Sequence, residues 1–211
     1  MTEPEHDKSR RLYELAEDKG GYFTAREALA AGYSYRQQHY QRSTGRWTPV
    51  GHGLFRLRDF PDGEFEHLVR WSLWSRNQKG VPLAVISHDT ALAVHGLSDV
   101  MPAAVHLTVP PRFRKAVPSG LVIHRAIVRA EDIEQRAGFA VTTPLRTLLD
   151  VAAGSLSQEH LDSAVAQALA RGLVLSSALT TAPASPRARV RLNLALTAAD
   201  IADAGLRQNF A

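Results

Sequence analysis

The stretch Thr24-Ala-Arg-Glu-Ala-Leu-Ala-Ala-Gly-Tyr-Ser-Tyr-Arg-Gln-Gln-His-Tyr-Gln-Arg-Ser-Thr44 decides the fold of this chain, because it carries the same helix-start signature twice. In Thr24-Ala-Arg-Glu27 a hydroxyl at the N-cap and a carboxylate three residues later satisfy each other's orphan backbone donors, and Ser34-Tyr-Arg-Gln37 repeats the device with an amide. Gly32 stands between the two signatures and ends the first helix. The spacing therefore predicts a helix from Ala25 to Ala31, a turn of about three residues, and a second helix from Tyr35 to Thr44. Two capped helices joined this tightly predict a helix-turn-helix.

Upstream, Asp7 to Lys19 carries Leu12, Leu15 and Ala16 at helical spacing and runs into the Gly20-Gly21 pair, which predicts a first helix; the aromatic pair Tyr22-Phe23 then leads into the cap at Thr24. Downstream, Arg46 to Val50 and Leu54 to Arg58 read as two strands around Gly51-His52-Gly53. Phe55 and Leu57 alternate with Arg56 and Arg58, giving one apolar and one basic face, the pattern of a wing.

The helix from Tyr35 to Thr44 lacks aliphatic residues, so its value lies in its polar side chains. Tyr35, Gln38, His39 and Arg42 fall on one stripe at i, i+3, i+4 and i+7, with Tyr40 expected to point back into the core. Arg36, Gln38 and Arg42 are suited to base edges or phosphates in a major groove, where Arg pairs with guanine and Gln with adenine. Arg46, His52, Arg56 and Arg58 in the wing are suited to phosphates or a minor groove. The candidate DNA-binding set is thus Ser34, Tyr35, Arg36, Gln38, His39, Arg42, Arg46, His52, Arg56 and Arg58.

Charge placement supports the same segment. The formal net charge is +4, with a pI near 9.7. Between Ser34 and Arg58 there are five arginines and no Asp or Glu, so the remainder of the chain is slightly acidic. Excess positive charge confined to one segment points to a polyanionic partner.

With 211 residues the chain has room for two domains. The turn-rich Asp59-Phe-Pro-Asp-Gly63 marks the boundary, predicting a winged helix-turn-helix over 1–60 and a larger mixed α/β domain over 64–211, an α+β protein as a whole. In the second domain the pattern predicts helices over 64–75, 89–95, 145–153, 158–171 and 190–206, and strands over 81–86, 105–109 and 121–127. Thr143-Pro144 supplies an N-cap with proline at the first helical position. The segment after Leu173, with Ala-Pro-Ala-Ser-Pro-Arg-Ala-Arg, reads as a basic loop.

Several chemistries lack support. With no cysteine there is no disulfide framework, thiolate zinc site or cysteine nucleophile. No apolar run approaches the roughly 18 residues of a membrane span, and the polar N-terminus lacks a secretory signal, so a cytoplasmic protein without membrane contact is expected. No Gly-x-Ser-x-Gly elbow, phosphate-cradling glycine loop or His-Glu-x-x-His is present. His88 and His95 are two helical turns apart, about 10 Å along the axis, too far for one ion, so these and His106 and His124 read as structural, with no metal, cofactor or catalysis expected. Arg187, Arg189 and Arg191 offer a second basic cluster, for which a helix terminus or solvated loop is the simpler reading.

The order of short motifs resembles the AbiEi family of type IV toxin-antitoxin systems, in its actinobacterial form. The N-terminal resemblance rests on Leu12-Tyr-Glu-Leu-Ala16, Gly21-Tyr-Phe-Thr-Ala-Arg-Glu-Ala28, Ala31-Gly-Tyr-Ser34 and Gly53-Leu-Phe-Arg-Leu57. The C-terminal resemblance rests on Ile86-Ser-His-Asp-Thr-Ala-Leu92, His95-Gly-Leu97, His106-Leu-Thr-Val-Pro110 and Thr142-Thr-Pro-Leu-Arg-Thr-Leu-Leu-Asp150. The resemblance spans Leu12 to Ala170 and implies a repressor of its own operon that binds inverted repeats in double-stranded DNA, as a pair of molecules, with a C-terminal domain that counters a nucleotidyltransferase toxin. Some relatives carry a nuclease-like extension, but no Asp and Glu-x-Lys arrangement follows Ala170 here. Two other readings stand beside repression: an antitoxin acting through protein contacts alone, and a nucleic-acid-processing enzyme using His88 and Asp89.

Overall fold

The computed structural model describes residues 5–97 and 102–209, the stretch 202–209 as backbone alone. Residues 1–4, 98–101 and 210–211 of the two expected domains lie outside the described residues. The described residues divide into two compact units, one within 1–84 with 135–140 and one within 85–134 and 141–211.

The first unit opens with helix α1 (Glu5–Glu17), strand β1 (Tyr22–Thr24), helices α2 (Ala25–Ala30) and α3 (Tyr35–Ser43), and strands β2 (Trp47–Gly51) and β3 (Leu54–Leu57). This is a winged helix-turn-helix. Both capping boxes form: the Glu27 carboxylate accepts from Thr24 N at 2.7 Å, and Gln37 Oε1 accepts from Ser34 N at 3.0 Å. The three strands lie in the order β1-β3-β2, antiparallel throughout. Strand β1 is absent from the sequence reading, because three residues are too few to show alternation; it exists through its ladder to β3, which sets Phe23 against Phe55. Trp47 packs edge-on against Phe23 at 4.7 Å and against Tyr33 at 5.0 Å, and Leu12, Ala16 and Ala28 close this small core. Gly21 is required at the end of the α1–β1 turn: its φ is +82°, and a Cβ there would meet the Phe60 ring at 2.5 Å.

Helix α3 is rotated relative to the sequence expectation. Gln38 is 4% exposed, and its Nε2 donates to the carbonyls of Ala25 and Tyr33, both at 3.1 Å. Gln41 is buried as well and donates to Glu5 Oε1 at 2.8 Å, while Tyr40, expected inside, is 59% exposed. The carbonyls of Tyr33 in the α2–α3 turn and of Ala25 at the start of α2 both face this helix, and a glutamine amide supplies two N–H groups to meet them.

After the 59–63 turn the first unit continues through α4 (Glu66–Trp74). Arg56 is drawn into this region: its guanidinium lies 2.8 Å from Asp62 and 3.0 Å from Glu66 and donates to the carbonyls of Gly20, Phe60 and Pro61, while Tyr22 Oη donates to Glu66 at 2.8 Å. The strand expected over 81–86 shrinks to β4 (Val85–Ile86). Side chains satisfy the donors that a strand would have paired: Asn77 Oδ1 accepts from Val81 N, and Ser75 Oγ accepts from Leu83 N and Ala84 N.

The rest of the chain contains α5 (His88–Val94), β5 (Val105–Val109), β6 (Leu121–Arg125), a 3₁₀ turn at Ala130–Asp132, β7 (Ile133–Arg136), β8 (Phe139–Thr142), α6 (Pro144–Ala153), α7 (Gln158–Ala170), α8 (Ser176–Thr181) and α9 (Pro186–Asn209). The sheet order is β6-β5-β4-β8-β7, with β4 antiparallel and β6 parallel to β5. Strands β7 and β8 and the Ser/Thr-rich α8 are additions to the sequence reading, and α9 starts four residues before the expected Val190. Leu148, Leu161, Val165, Leu179 and Leu192 form the heart of the helical core. Two arginines of the basic cluster serve helix ends: Arg191 donates to the carbonyls of Ala152 at 3.1 Å and Gly154 at 3.2 Å at the end of α6, and Arg189 donates to Leu179 at 2.6 Å and to Ala182.

His95 stands apart from the other histidines, buried with its Nε2 donating to Thr142 O at 2.7 Å. His88, His106 and His124 instead meet on one face of the sheet. His88 and His124 stack with centroids 3.5 Å apart and planes at 9°. Burial, reinforced by the two neighbouring imidazoles and by Arg146, holds the His88 pKa down at about 3. Burial lowers His106 and His124 as well, partly opposed by Asp89.

Two outcomes are expected. Gln38→Leu leaves two buried carbonyls without their donor and lowers stability by about 1–3 kcal/mol in urea unfolding, whereas an unchanged midpoint would show that the amide contributes nothing. The three histidines have folded values below their unfolded one, so the folded state binds fewer protons; their stabilisation is complete above about pH 6.5 and is lost as pH falls toward the folded values. The urea midpoint of the wild type should fall from about pH 7 to about pH 5, and His124→Leu should flatten that fall.

Candidate nucleic-acid interface

The outward face of α3 consists of Tyr35, Arg36, His39, Tyr40 and Ser43, at i, i+1, i+4, i+5 and i+8, with Arg42 at its margin. Tyr35 is 71% exposed. Ser34 is exposed at the N-terminus of the helix, with its hydroxyl already accepting from Gln37 N. The Arg42 guanidinium lies 5.5 Å from the centroid of the Phe55 ring, so the wing strand props this side chain from beneath by a cation–π contact.

Strands β2 and β3 place Arg46 and Arg58 as exposed neighbours: Arg46 O accepts from Arg58 N at 3.1 Å. His52 is exposed at the wing tip, where its carbonyl accepts from Arg76 at 2.7 Å, fixing the tip to the end of α4. Among the described residues Arg36, Arg42, Arg46 and Arg58 form no ion pair, so these four cations face solvent uncompensated.

The ten residues singled out from the sequence therefore separate. Ser34, Tyr35, Arg36, His39, Arg42, Arg46, His52 and Arg58 reach the surface of the winged helix. Gln38 does not, because both its amide hydrogens are spent on backbone carbonyls. Arg56 does not present a free charge, because its side chain is 12% exposed between Asp62 and Glu66. Tyr40 and Ser43 join the face and were not singled out. The signal for them was the pair Gln38 and Gln41, three residues apart, whose common inward face places Tyr40 outside.

No group of three or more His, Asp or Glu side chains among the described residues encloses a metal ion. Among the described residues no helix is long and apolar enough to cross a membrane.

Comparison with known proteins agrees with this architecture. Residues 10–58 match the family described as "Transcriptional regulator, AbiEi antitoxin", and residues 83–196 match the "AbiEi antitoxin C-terminal domain". No curated protein matches the chain. Among solved structures, the crystal structure of the RV2827C protein from Mycobacterium tuberculosis shares the fold with a TM-score of 0.59 at 16% identity, over 94% of this chain and 79% of that one. The two family matches, one on the winged helix and the other on more than half of the chain, show that this protein belongs to the AbiEi antitoxin family.

Proposed function

We propose that the protein is a transcriptional repressor that binds operator DNA through α3 and the wing, two copies occupying an inverted repeat, and that its C-terminal domain counters a nucleotidyltransferase-type toxin. The observation that carries the DNA reading is the uncompensated set Arg36, Arg42, Arg46 and Arg58 around the outward face of α3, which like α2 begins in a capping box. Electrostatic attraction to phosphates supplies salt-dependent affinity, and side chains reaching base edges supply sequence choice. Tyr35 and Tyr40 add apolar surface beside the arginines, suited to the thymine methyl groups of a major groove. The toxin reading rests on the antitoxin C-terminal match over residues 83–196.

Mobility-shift titration against the protein's own upstream promoter and a scrambled duplex tests the DNA reading. Specific retention that weakens with salt is expected, and equal retention of both duplexes would leave protein contact as the sole antitoxin mechanism. Arg36→Ala and Arg42→Ala should each cost about 1–3 kcal/mol of operator binding where the arginine meets a base, while Arg46→Ala, as a phosphate contact, should reduce the salt slope by about 1.

Arg56→Ala separates fold from interface. It removes the partner of Asp62 and Glu66, so unfolding should be easier by about 1–3 kcal/mol, with operator affinity of the folded variant close to wild type. A large affinity loss at wild-type stability would return Arg56 to the interface.

A further inference from the structure

Among the described residues, Glu5, Arg46, Arg58 and Asp59 line one cavity of about 280 Å³ in the winged helix without forming an ion pair with one another. Its floor is apolar and aromatic: Leu12, Tyr33 and Trp47 are almost fully buried, and the last two pack edge-on at 5.0 Å. Tyr13 and Phe60, with ring centroids 5.4 Å apart, form a wall, and Leu57, the ladder partner of Trp47, continues the apolar surface. We propose that this cavity binds a small zwitterion of the α-amino-acid class with an aromatic or branched aliphatic side chain, and that its occupation competes with DNA phosphates for Arg46 and Arg58. The competition rests on the repressor reading; the site itself does not.

The charges of the lining select the ligand. Arg46 precedes the Trp47–Leu57 rung and Arg58 follows it, so the two arginines are neighbours across the ladder, with Arg58 N donating to Arg46 O at 3.1 Å. Gly45 keeps room for the pair, since a Cβ there would come within 3.2 Å of Arg58 Nη1. Two like charges on neighbouring strands are mutually unfavourable, and an anion between them relieves the repulsion. Glu5 accepts from Gln41 through Oε1 at 2.8 Å, and the Asp59 carboxylate is exposed with no partner. Charges of both signs reach the Tyr33 phenol: burial and then Glu5 raise its pKa, while a hydrogen bond with Ser9 and the charge of Arg46 oppose the rise.

Two arginines and two carboxylates make the lining formally neutral, so a nucleotide would bring its phosphates up against Glu5 and Asp59. An uncharged apolar ligand would desolvate four charges and pair none of them. A zwitterion answers both signs: its carboxylate takes the guanidinium forks, its ammonium takes the carboxylates, and its side chain covers the aromatic wall. The volume suits one small molecule. Since Arg46 and Arg58 are two of the four free cations of the proposed interface, a bound carboxylate withdraws both from the operator. Bound ligand should therefore weaken operator retention and flatten its salt slope by about 2, and operator DNA should weaken ligand binding by the same factor.

The test titrates the full-length chain, free of DNA, with L-phenylalanine and L-leucine by calorimetry, and with the analogues of each that lack the ammonium or the carboxylate. Saturable binding of one molecule per chain is expected for at least one of the two amino acids, with both of its single-charge analogues about 10–100-fold weaker. Arg58→Ala and Asp59→Asn, at exposed side chains, should each weaken binding by a similar factor, and Asp18→Asn, away from the cavity, should leave it unchanged. Failure of both amino acids to bind, analogues that bind as well as the zwitterion, or affinity that survives both lining substitutions would overturn the site. A mobility-shift titration with and without the amino acid reads the competition, which unchanged operator retention at saturating ligand would overturn. A chain that retains no operator without ligand would sink the repressor reading and the competition with it, while calorimetry still decides the site.

Discussion

The hydrogen bonds from Gln38 to the carbonyls of Ala25 and Tyr33 set the geometry on which the winged helix depends. Helix α3 has no aliphatic residue, so it cannot be seated by the burial that holds most amphipathic helices. Buried amides seat it instead: Gln38 reaches the α2–α3 turn and Gln41 reaches Glu5 on α1. With two glutamines committed inward, helical geometry leaves Tyr35, Arg36, His39, Tyr40 and Ser43 on the outward side. The fold and the presented surface thus follow from one polar constraint.

The basic segment divides on the same principle. Five arginines read as one patch in sequence, yet Arg56 is recruited to hold the 59–63 turn and α4 against the wing strand through Asp62 and Glu66. The other four stay solvated. Near the C-terminus, Arg189 and Arg191 turn inward to helix-end carbonyls, so a run that resembles a nucleic-acid patch is largely structural. Arginine suits both duties because its planar fork can satisfy several oxygens at once.

In the C-terminal domain the motifs of the family resemblance converge in space. Ser87, His88 and Asp89 lie beside His106 and Thr108, and Thr142 contacts both His95 and Thr147. Arg146 spans Asp132 at 3.3 Å and Asp150 at 2.9 Å, so a second polar cluster braces the start of α6. Hydrogen bonds offset most of the cost of carrying these polar groups into the domain interior, although Asp150 Oδ2 stays buried without a hydrogen-bond partner among the described residues.

The helix-turn-helix, the wing and the helices 145–153 and 158–171 were legible in the sequence, because caps, glycine stops and apolar periodicity are local properties of the chain. Strand β1, strands β7 and β8, and the loss of strand over 81–84 were not, because short strands exist only through their partners and because Asn77 and Ser75 take backbone donors at a distance that no period reveals. The rotation of α3, the inward duty of Arg56 and the meeting of His88, His106 and His124 belong to the same class. Each depends on which buried carbonyl, carboxylate or ring stands opposite, and residues far apart in the chain decide that. Sequence alone determined the elements and the kind of surface they carry. Tertiary structure decided which side chains are spent on holding the fold and which remain for a partner, because the satisfaction of buried polar groups is settled only when the chain is packed.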